Sequence, residues 1–332
     1  MVTNRRKRKG EFTDEEMPKF RYQYLYTYLN GPPGKDGFGS SGKNGFRKAM
    51  TEELSRIQKE GVKTPKVCLY IHGYNNSWQE SIDELADLER SLTTAIGYAP
   101  VLIGFSWPST GKVKNYLSDR EEVRDSVGAF TRFILEFHEY VQMNSRNCVS
   151  TFCCIAHSMG NYLLRKGMEY LSDYLGTPVG RVLFNETVML APDLASKDIE
   201  LDGKGKYITF FSRRVHVYYS RHDRALKASS IKRFGGNRLG RHGVDDYDNL
   251  SSNVVIINAE KYANSESMNS QDVTDRSGKP ISVHSSHRYH LAILEDVKHV
   301  LSSVDRTLIP TRQIAPKAIE SPDIVANHFV LT

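Results

Sequence analysis

Short apolar runs alternate with longer segments whose apolar residues recur every three or four positions through the middle of the chain. A continuous short apolar run is typical of a strand buried on both faces, and the second pattern is typical of a helix with one buried face. Strands are predicted for KVCLYI, PVLIGFSW, CVSTFCCIA, RVLFNETVMLA, RVHVYYS and NVVIINAE, and helices for SWQESIDELADLERSLTTAI, SDREEVRDSVGAFTRFILEFHEYVQM and MGNYLLRKGMEYLSDYL.

Strands that alternate with helices of this length predict the fold class. Right-handed crossover connections between such strands place helices on both faces of a parallel sheet. We therefore expect an α/β fold with a mostly parallel, doubly wound sheet. The pattern after Ala191 is weak, so the region 193–207 is the least defined part of this prediction.

The ends of the chain differ from its middle, and this predicts three parts. Residues 1–60 form an amino-terminal extension with a Gly-rich loop, residues 61–305 form the α/β domain, and residues 306–332 form a carboxyl-terminal tail. Within the extension, FRYQYLYTYLNG alternates well enough for one or two strands. The tail contains prolines that interrupt regular structure.

Composition places the 332-residue chain among ordinary globular proteins, with 39% hydrophobic and 25% charged residues. No apolar run approaches the ~20 residues that a bilayer span needs, and the basic amino terminus leads into an acidic segment, unlike a secretory signal. Cysteines at 68, 153 and 154 lie within apolar runs and Cys148 lies nearby, which is typical of small buried residues in a reducing compartment. We expect a cytoplasmic protein without a membrane span.

The net charge of +6 favours loose association with anionic partners. Basic residues concentrate in NRRKRK near the start and in a stretch between Arg213 and Gly243. No nucleic-acid recognition module accompanies them. We therefore interpret them as a solvated surface and a flexible tail, and nucleic-acid binding is not favoured.

The segment AHSMG places Ser158 between a predicted buried strand and a predicted helix. It matches the nucleophile elbow G-x-S-x-G except for Ala156 at the first position. Small residues two before and two after the serine permit a tight turn that exposes its hydroxyl. A serine that only caps the helix is the alternative, but a cap does not require small residues at Ala156 and Gly160. The sequence predicts Ser158 as a nucleophile.

A nucleophilic serine needs a histidine as base and a carboxylate to orient that histidine. In a sheet of this type, the acid and then the histidine follow the serine in loops after later strands. Asp223 is the favoured acid. It follows RVHVYYS, which is the predicted strand directly before a loop with three histidines, called the histidine loop below. Asp193 is the rival, because it also follows a strand. Its alternative role is that of a turn residue after Pro192.

Three histidines lie in SVHSSHRYHLAIL, just before the last predicted helix. His287 is favoured as the base because the small Ser285 and Ser286 precede it in a turn. His284 and His290 remain alternatives, and His290 stands at the start of the helix.

The segment YIHGYNNSW follows a predicted strand and supplies candidates for an oxyanion hole. Gly73 lets the backbone bend so that the amide of Tyr74 or Asn75 can face the serine. Together with the amide of Met159, this gives two donors for a tetrahedral oxyanion. A polar turn that only caps the following helix is the alternative.

Trp107 ends the predicted strand GFSW and lies at the same rim of the sheet. We interpret it as a wall of the substrate pocket. A packed core aromatic is the alternative.

The stretch GFGSSGKN, from Gly37 to Asn44, resembles the phosphate-binding loop G-x-x-x-x-G-K-[ST]. Asn44 lacks the hydroxyl that would hold magnesium. The preceding segment is not a buried strand, so nothing would hold Lys43 in the position that phosphate binding requires. We expect a flexible or lid-like loop and no cofactor or metal.

The segments HGYNNSW, FSWPS, AHSMGN, APD, SRHDRAL, NRLGRHG and SSHRYHL occur in this order. From Val67 to Val300 the chain thereby resembles the α/β-hydrolase superfamily, and within it a largely bacterial family of unknown function. The resemblance implies a triad of Ser158, Asp223 and His287. It also implies a family loop at Asn237–Gly240, and it carries no known substrate.

These observations predict a serine hydrolase that acts on a small-molecule acyl substrate. It would cleave a carboxylic ester, thioester or amide through an acyl-enzyme. The alternatives are an interaction protein that retains the fold without turnover and, less favoured, a nucleotide or nucleic-acid binder.

Overall fold

The computed structural model describes residues 1–26, 39–110, 116–144, 151–175, 182–232, 236–271, 274–275, 278–316 and 326–332. The strands are β1 Val2–Thr3, β2 Arg5–Arg8, β3 Glu11–Glu16, β4 Gln23–Tyr26, β5 Gly39–Ser40, β6 Lys66–Ile71, β7 Val101–Ser106, β8 Thr151–His157, β9 Phe184–Leu190, β10 Ser212–Tyr219, β11 Val254–Asn258, β12 Arg312–Ile314 and β13 His328–Leu331. The helices are α1 Gly42–Lys59, α2 Trp78–Ile96, α3 Tyr116–Asn144, α4 Gly160–Leu175, α5 Lys206–Phe211, α6 Arg224–Lys232, α7 Leu239–His242, α8 Ser265–Ser270 and α9 Leu291–Leu301, and 3₁₀ turns span Ser196–Ile199 and Val283–Arg288.

Within the described residues, eleven strands form one sheet in the order β12-β13-β11-β10-β9-β8-β6-β7-β1-β4-β5. The strands from β13 to β1 pair in parallel with their neighbours, and antiparallel pairs occur at the two edges. Strands β2 and β3 form a separate antiparallel pair. The predicted mostly parallel sheet is confirmed, and β6 to β11 are the six strands that the apolar runs predict.

Each face of the sheet carries its own apolar core. Along β6, Val67, Leu69 and Ile71 belong to one core cluster. The intervening Cys68 and Tyr70 belong to the other, because successive strand side chains point to opposite faces. Side chains of α1, α3 and α4 cover the first face, and those of α2 and α9 cover the second. This two-sided burial explains why the strand sequences are continuously apolar.

The helix α2 starts directly after the predicted oxyanion segment and has a complete capping box. The Ser77 hydroxyl accepts a hydrogen bond from the Glu80 amide at 3.3 Å, and the Glu80 carboxylate accepts one from the Ser77 amide at 2.7 Å. At the other end, Gly97 takes the left-handed conformation typical of a helix terminus. The caps therefore fix where the preceding loop ends.

Both ends of the chain contribute strands to the same sheet as the central domain. Strand β1 pairs with β7, and β13 pairs with β11. The predicted boundaries at residues 60 and 305 stay predictions, but the flanking segments are not separate from the central sheet.

Part of the Gly-rich loop lies outside the described residues. Lys43 belongs to α1, and its ammonium lies 2.8 Å from the carboxylate of Glu136.

No helix among the described residues combines the length and apolar character that a bilayer crossing needs. Cys68, Cys153 and Cys154 are buried free thiols in the sheet, as their apolar context predicts.

Arg5 corrects the interpretation of NRRKRK as a flexible tail, because its side chain is fully buried. Its guanidinium donates hydrogen bonds to the Ser106 hydroxyl at 3.0 Å, the Ser109 carbonyl at 3.1 Å and the Asn76 carbonyl at 2.7 Å. It also pairs with Asp14 at 3.2 Å. Burial lowers the pKa of Arg5 to about 10, against the charge of Asp14. The amino terminus is thereby attached to the loop that precedes α2.

We expect Arg5→Met to lower the free energy of unfolding by about 3 kcal/mol, because it leaves buried acceptors unpaired and hydrogen bonds to charged groups contribute about 1.5–3 kcal/mol. Arg6→Met on the same strand is the matched control. Arg6 is half exposed and pairs with the exposed Glu15, so its loss should cost less than about 1 kcal/mol. Urea unfolding of both variants measures this difference. Equal losses would show that the buried guanidinium contributes no more than a surface charge.

Candidate functional site

Ser158 lies in a strained turn between β8 and α4. Its φ is +51°, in the left-handed region that residues other than glycine seldom adopt. The Ser158 amide donates to the Leu190 carbonyl at 3.0 Å. Its carbonyl accepts from the amides of Asn161 and Asp193, both at 3.1 Å. These bonds to α4 and to the neighbouring strand end hold the turn in place, as expected of a nucleophile elbow.

Two glycines allow other backbone segments to approach this turn. A Cβ added to Gly160 would lie 2.4 Å from the Ile71 carbonyl oxygen, so only glycine fits where α4 starts against β6. A Cβ added to Gly73 would lie 3.1 Å from the Cβ of Ser158. The loop after β6 therefore passes directly beside the serine, and the small residue predicted at position 160 has a steric reason.

His284 joins Ser158 to Asp223 through two short hydrogen bonds. Its Nε2 lies 2.8 Å from the Ser158 Oγ, and its Nδ1 lies 2.6 Å from the Asp223 Oδ2. Asp223 is fully buried after β10, and its other oxygen accepts from the Leu226 amide at 2.9 Å. An ionised carboxylate only accepts, so Nδ1 carries the proton and Nε2 is free to accept the serine proton.

The charges of the pair oppose the effect of burial on both groups. Burial lowers the pKa of His284, but the charge and hydrogen bond of Asp223 outweigh it, so the pKa lies above its ordinary value. Burial raises the pKa of Asp223, but His284 and the Leu226 amide reverse this and hold the pKa below its usual range. A carboxylate beside a basic imidazole results, which favours proton transfer from the serine.

The structure corrects the choice of His287, because His284 is the histidine in contact with Ser158. His287 lies one 3₁₀ turn further along Val283–Arg288 and is fully buried. Burial lowers its pKa to about 3, so it is neutral. The small neighbours of His287 indicate a turn, but they do not reveal which residue of that turn faces the serine.

His290, the other alternative, has a structural position at the start of α9. Its Nδ1 accepts from the Ala292 amide at 3.2 Å, and its Nε2 lies 2.9 Å from the Ser267 hydroxyl. These contacts hold it away from Ser158.

Asp193, the rival acid, lies close to Ser158 but does not orient His284. Its carboxylate accepts hydrogen bonds from the hydroxyls of Tyr116 and Ser229, both at 2.6 Å. These partners fix Asp193 as a wall of the site, and the carboxylate bonded to the histidine is that of Asp223.

Of the predicted oxyanion donors, the structure corrects Asn75. The Asn75 amide donates to the Asp119 carboxylate at 3.2 Å. Tyr74 lines the cavities beside Ser158, and Met159, the residue that follows Ser158 in the chain, is buried. The amides of Tyr74 and Met159 remain the candidates.

Trp107 belongs to the core and does not line the cavities at Ser158, so its predicted role as a pocket wall is also corrected. Its side chain is fully buried, and its ring stacks on His72 with centroids 5.1 Å apart. Its indole N–H donates to the His72 carbonyl at 3.0 Å. Trp107 therefore supports the end of β6, from which the loop that carries Tyr74 departs.

The sequence did not predict a buried polar network around the Glu84 carboxylate, next to the site. The Glu84 carboxylate accepts hydrogen bonds from Tyr70 and, at 2.6 Å, from Asn76, and it forms an ion pair with Arg288 at 3.1 Å. Burial alone would raise the pKa of Glu84, but the charge of Arg288 outweighs it, so the carboxylate stays ionised. The network joins α2, the loop that carries Asn76 and the turn that carries Arg288. Each partner comes from a different segment, so no local pattern could have revealed it.

His157 connects this network to the loop that carries His284. Its Nε2 lies 3.1 Å from the carbonyl oxygen of His284, and burial lowers its pKa to about 4. A neutral His157 can donate this bond, which fixes the backbone of the histidine loop beside Ser158.

The Asn237–Gly240 segment supports both candidate acids. The Gly240 amide donates to the Pro192 carbonyl at 2.9 Å, and a Cβ on Gly240 would lie 2.3 Å from the Ala191 backbone. In α7, the Arg241 guanidinium donates to the Asp223 carbonyl at 2.6 Å. The NRLGRHG motif thus bonds to the segments that follow β9 and β10, which carry Asp193 and Asp223.

Two cavities meet at Ser158 and His284. The first has about 20 Å³ and is lined by Tyr74, Tyr116, Ser158, Asp193, Ala225, Leu226, Ala228, Ser229 and His284. The second has about 230 Å³ and extends along the histidine loop. A larger cavity of about 600 Å³ lies between Arg21 and Glu136, away from the serine. Among the described residues, no group of three or more His, Cys, Asp or Glu side chains is arranged to hold a metal ion.

Known proteins resemble this chain in sequence and in fold. Residues 47–278 match the family described as "Alpha/beta hydrolase of unknown function (DUF900)". An uncharacterized protein of Nostoc sp., alr1448, is 31% identical over 178 residues. That alignment covers 46% of this chain and 44% of the relative, so the chain spans less than half the relative's length.

Solved structures with similar folds include carboxyl esterase 2 from Tuber melanosporum, at 14% identity and a TM-score of 0.37, covering 85% of this chain and 86% of the esterase. A Trichoderma reesei cutinase is 14% identical with a TM-score of 0.25, covering 48% of this chain and 67% of the cutinase. These likenesses concern the fold alone. The family match, by contrast, covers well over half of the sequence and contains the serine turn, Asp223 and the Asn237–Gly240 loop. The chain belongs to this family of α/β hydrolases of unknown function.

Proposed function

We propose that the protein is a serine hydrolase that cleaves an ester, thioester or amide through an acyl-enzyme. The observation that supports this most directly is the hydrogen-bonded series from Asp223 through His284 to Ser158. It stands at the end of a parallel sheet, and Ser158 has a φ of +51°, a strained conformation of the kind found at functional sites.

In the first half-reaction, the Nε2 of His284 takes the proton of Ser158 while the serine oxygen attacks the substrate carbonyl. Negative charge develops on the carbonyl oxygen, and the amides of Met159 and Tyr74 would stabilise it. Asp223 stabilises the imidazolium that forms. The imidazolium then gives its proton to the leaving group, and the acyl group stays on Ser158.

In the second half-reaction, water replaces the leaving group. His284 takes a proton from the water, which attacks the acyl-enzyme carbonyl. Proton return to the Ser158 oxygen releases the acid and restores the enzyme. The substrate is proposed to be a small molecule, because the cavities at Ser158 have volumes of about 20 and 230 Å³.

A cytoplasmic location is part of this proposal. Three cysteines of the described chain are buried free thiols, and this is typical of proteins from reducing compartments.

Labelling with a fluorophosphonate tests the nucleophile. We expect wild-type protein to gain one covalent adduct by intact-mass spectrometry and to hydrolyse p-nitrophenyl acetate. Ser158→Ala should lose the adduct and at least about 10⁴-fold in kcat, since removing a triad serine leaves only binding and the oxyanion hole. Ser230→Ala, at an exposed hydroxyl on α6 that bonds to the Gly236 carbonyl, is the control and should label normally.

A wild-type protein that is folded but neither labels nor turns over esters would contradict the proposal. That result would favour the alternative of an interaction protein that retains the hydrolase fold.

A further inference from the structure

We propose that the preferred substrates are esters of a short acyl group with a positively charged alcohol. This inference rests on the proposed serine-hydrolase function. It follows from the unequal size and charge of the two cavities that meet at Ser158.

The smaller cavity limits the acyl group. Its volume of about 20 Å³ holds about one water-sized group, because such a group needs about 10–15 Å³. The Tyr74 and Tyr116 rings stand edge to face at 5.6 Å on its wall. The Tyr116 hydroxyl donates to the Asp193 carboxylate, which also accepts from the Ser229 hydroxyl. A wall held by these hydrogen bonds opens only at a cost, so an acetyl methyl fits and a long chain does not.

The larger cavity receives the leaving group, because His284 must protonate that group. It is walled by the loop that carries this histidine, through Ser282, Ser285 and Arg288. The smaller cavity contains none of these three residues. A substrate whose carbonyl carbon lies at Ser158 therefore places its acyl side towards Tyr116 and its alcohol side along the histidine loop.

The larger cavity, which would hold the alcohol side of the substrate, continues into an outer groove of about 460 Å³. The groove and the larger cavity share six wall residues, namely Asn75, Asn76, Glu84, Ser282, Ser285 and Arg288. Among the residues that the structure describes, five carboxylates and two basic side chains line the groove. Arg288 is already paired with Glu84 at 3.1 Å. The other charged walls are Glu80, Asp83, Asp87, Asp275 and Lys279.

Carboxylates outnumber cations in this groove, so its field favours a positively charged alcohol. One of them, Asp87, is partly compensated by Arg90 at 3.0 Å. Glu80 and Asp83 extend from the first turns of α2 into the groove. A cleft lined by one sign of charge raises the local concentration of the opposite charge by about 10-fold or more at low ionic strength.

An acyl series with a constant p-nitrophenol leaving group tests the smaller cavity. We expect kcat/KM to fall at least about tenfold from acetate to butyrate and further to octanoate, since methylenes that the cavity cannot hold meet its wall and displace the carbonyl carbon from Ser158. Leu226→Ala should enlarge this cavity and raise the butyrate-to-acetate ratio. The ratio within one variant does not depend on how much of that variant is folded.

Acetylcholine and 3,3-dimethylbutyl acetate test the outer groove, because the two have the same shape and differ by one positive charge. We expect kcat/KM to be about tenfold higher for acetylcholine at low salt, and the ratio to fall as salt is added. Glu80→Gln combined with Asp83→Asn should lower the ratio, and glutamine still completes the capping box. Glu121→Gln, at an exposed position on α3 that is outside the groove, is the control.

The outcomes separate the two proposals. If Ser158 labels and esters turn over, but octanoate or the neutral ester is preferred, the substrate inference is wrong and the serine-hydrolase proposal stands. If Ser158 does not label in folded protein, the serine-hydrolase proposal fails and the substrate inference fails with it.

Discussion

Replacing His284 by alanine is expected to lower kcat by about 10⁴- to 10⁶-fold, whereas His287→Leu should leave kcat within about tenfold of the wild type. The difference follows from the contacts. His284 bridges Ser158 and Asp223 at 2.8 and 2.6 Å, while His287 is buried one turn away as a neutral ring. Steady-state kinetics with p-nitrophenyl acetate, alongside thermal unfolding of both variants, measures the two effects separately.

Added imidazole provides a test that a purely structural role would not pass. His284→Ala leaves an opening beside the 230 Å³ cavity, so free imidazole should restore part of the lost rate in a concentration-dependent manner. It should not restore activity to Ser158→Ala. A larger loss of kcat in a well-folded His287→Leu variant than in His284→Ala would show that the hydrogen bonds do not identify the base.

The elements that the sequence predicts well depend on neighbouring residues in the chain. The strands β6 to β11 are buried on both faces, so their apolar composition identifies them directly. The turn at Ser158 requires small residues at fixed offsets, and the 2.4 Å approach of Gly160 to β6 shows why. Asp223 is favoured over Asp193 because it follows the strand directly before the loop that contains the histidines, and its carboxylate is bonded to His284.

The incorrect choices concern groups whose orientation is set by distant segments. Asn75 is turned away from the serine by Asp119, which lies in α3 and forty-four positions later in the chain. Trp107 is turned into the core, where it stacks on His72. No local pattern around either residue contains this information, because the partner that fixes the side chain or amide is not a neighbour in sequence.

Arg5 shows the same limit for charge patterns. A run of basic residues is usually solvated, and Arg6 and Arg8 of this run are half exposed. Arg5 is buried because carbonyls of the loops at Asn76 and Ser109 converge on it. The amino terminus therefore supports the loop that carries the candidate oxyanion donor, and its contribution is a property of the assembled sheet.

Asp223→Asn is expected to lower kcat by about 10⁴-fold and to move the acid limb of the kcat/KM profile to lower pH. The loss of rate follows because asparagine can favour the wrong tautomer of His284 and cannot stabilise the imidazolium. The profile of kcat/KM against pH with p-nitrophenyl acetate, from about pH 4 to about pH 9, measures both effects.

The direction of the pH shift follows from the balance at His284. In the wild type, Asp223 raises the pKa of His284 above its ordinary value although burial lowers it. Protonated His284 cannot accept the serine proton, so kcat/KM should rise with pH through a pKa above about 6.5 and then level off. Without the carboxylate, burial dominates, the pKa falls, and the imidazole stays neutral to lower pH.

Asp193→Asn is the matched comparison because Asp193 also raises the pKa of His284, though less than Asp223 does. Asp193→Asn should shift the acid limb of the kcat/KM profile slightly towards lower pH and should lower kcat far less than Asp223→Asn. The reason is that the Asp193 carboxylate bonds to Tyr116 and Ser229 and not to the histidine. If Asp193→Asn produced the larger loss, or if the limb of Asp223→Asn moved to higher pH, Asp223 would not be the group that orients His284. Both aspartates raise the pKa of the same histidine, so the hydrogen bond that only Asp223 makes to His284 is what separates their effects.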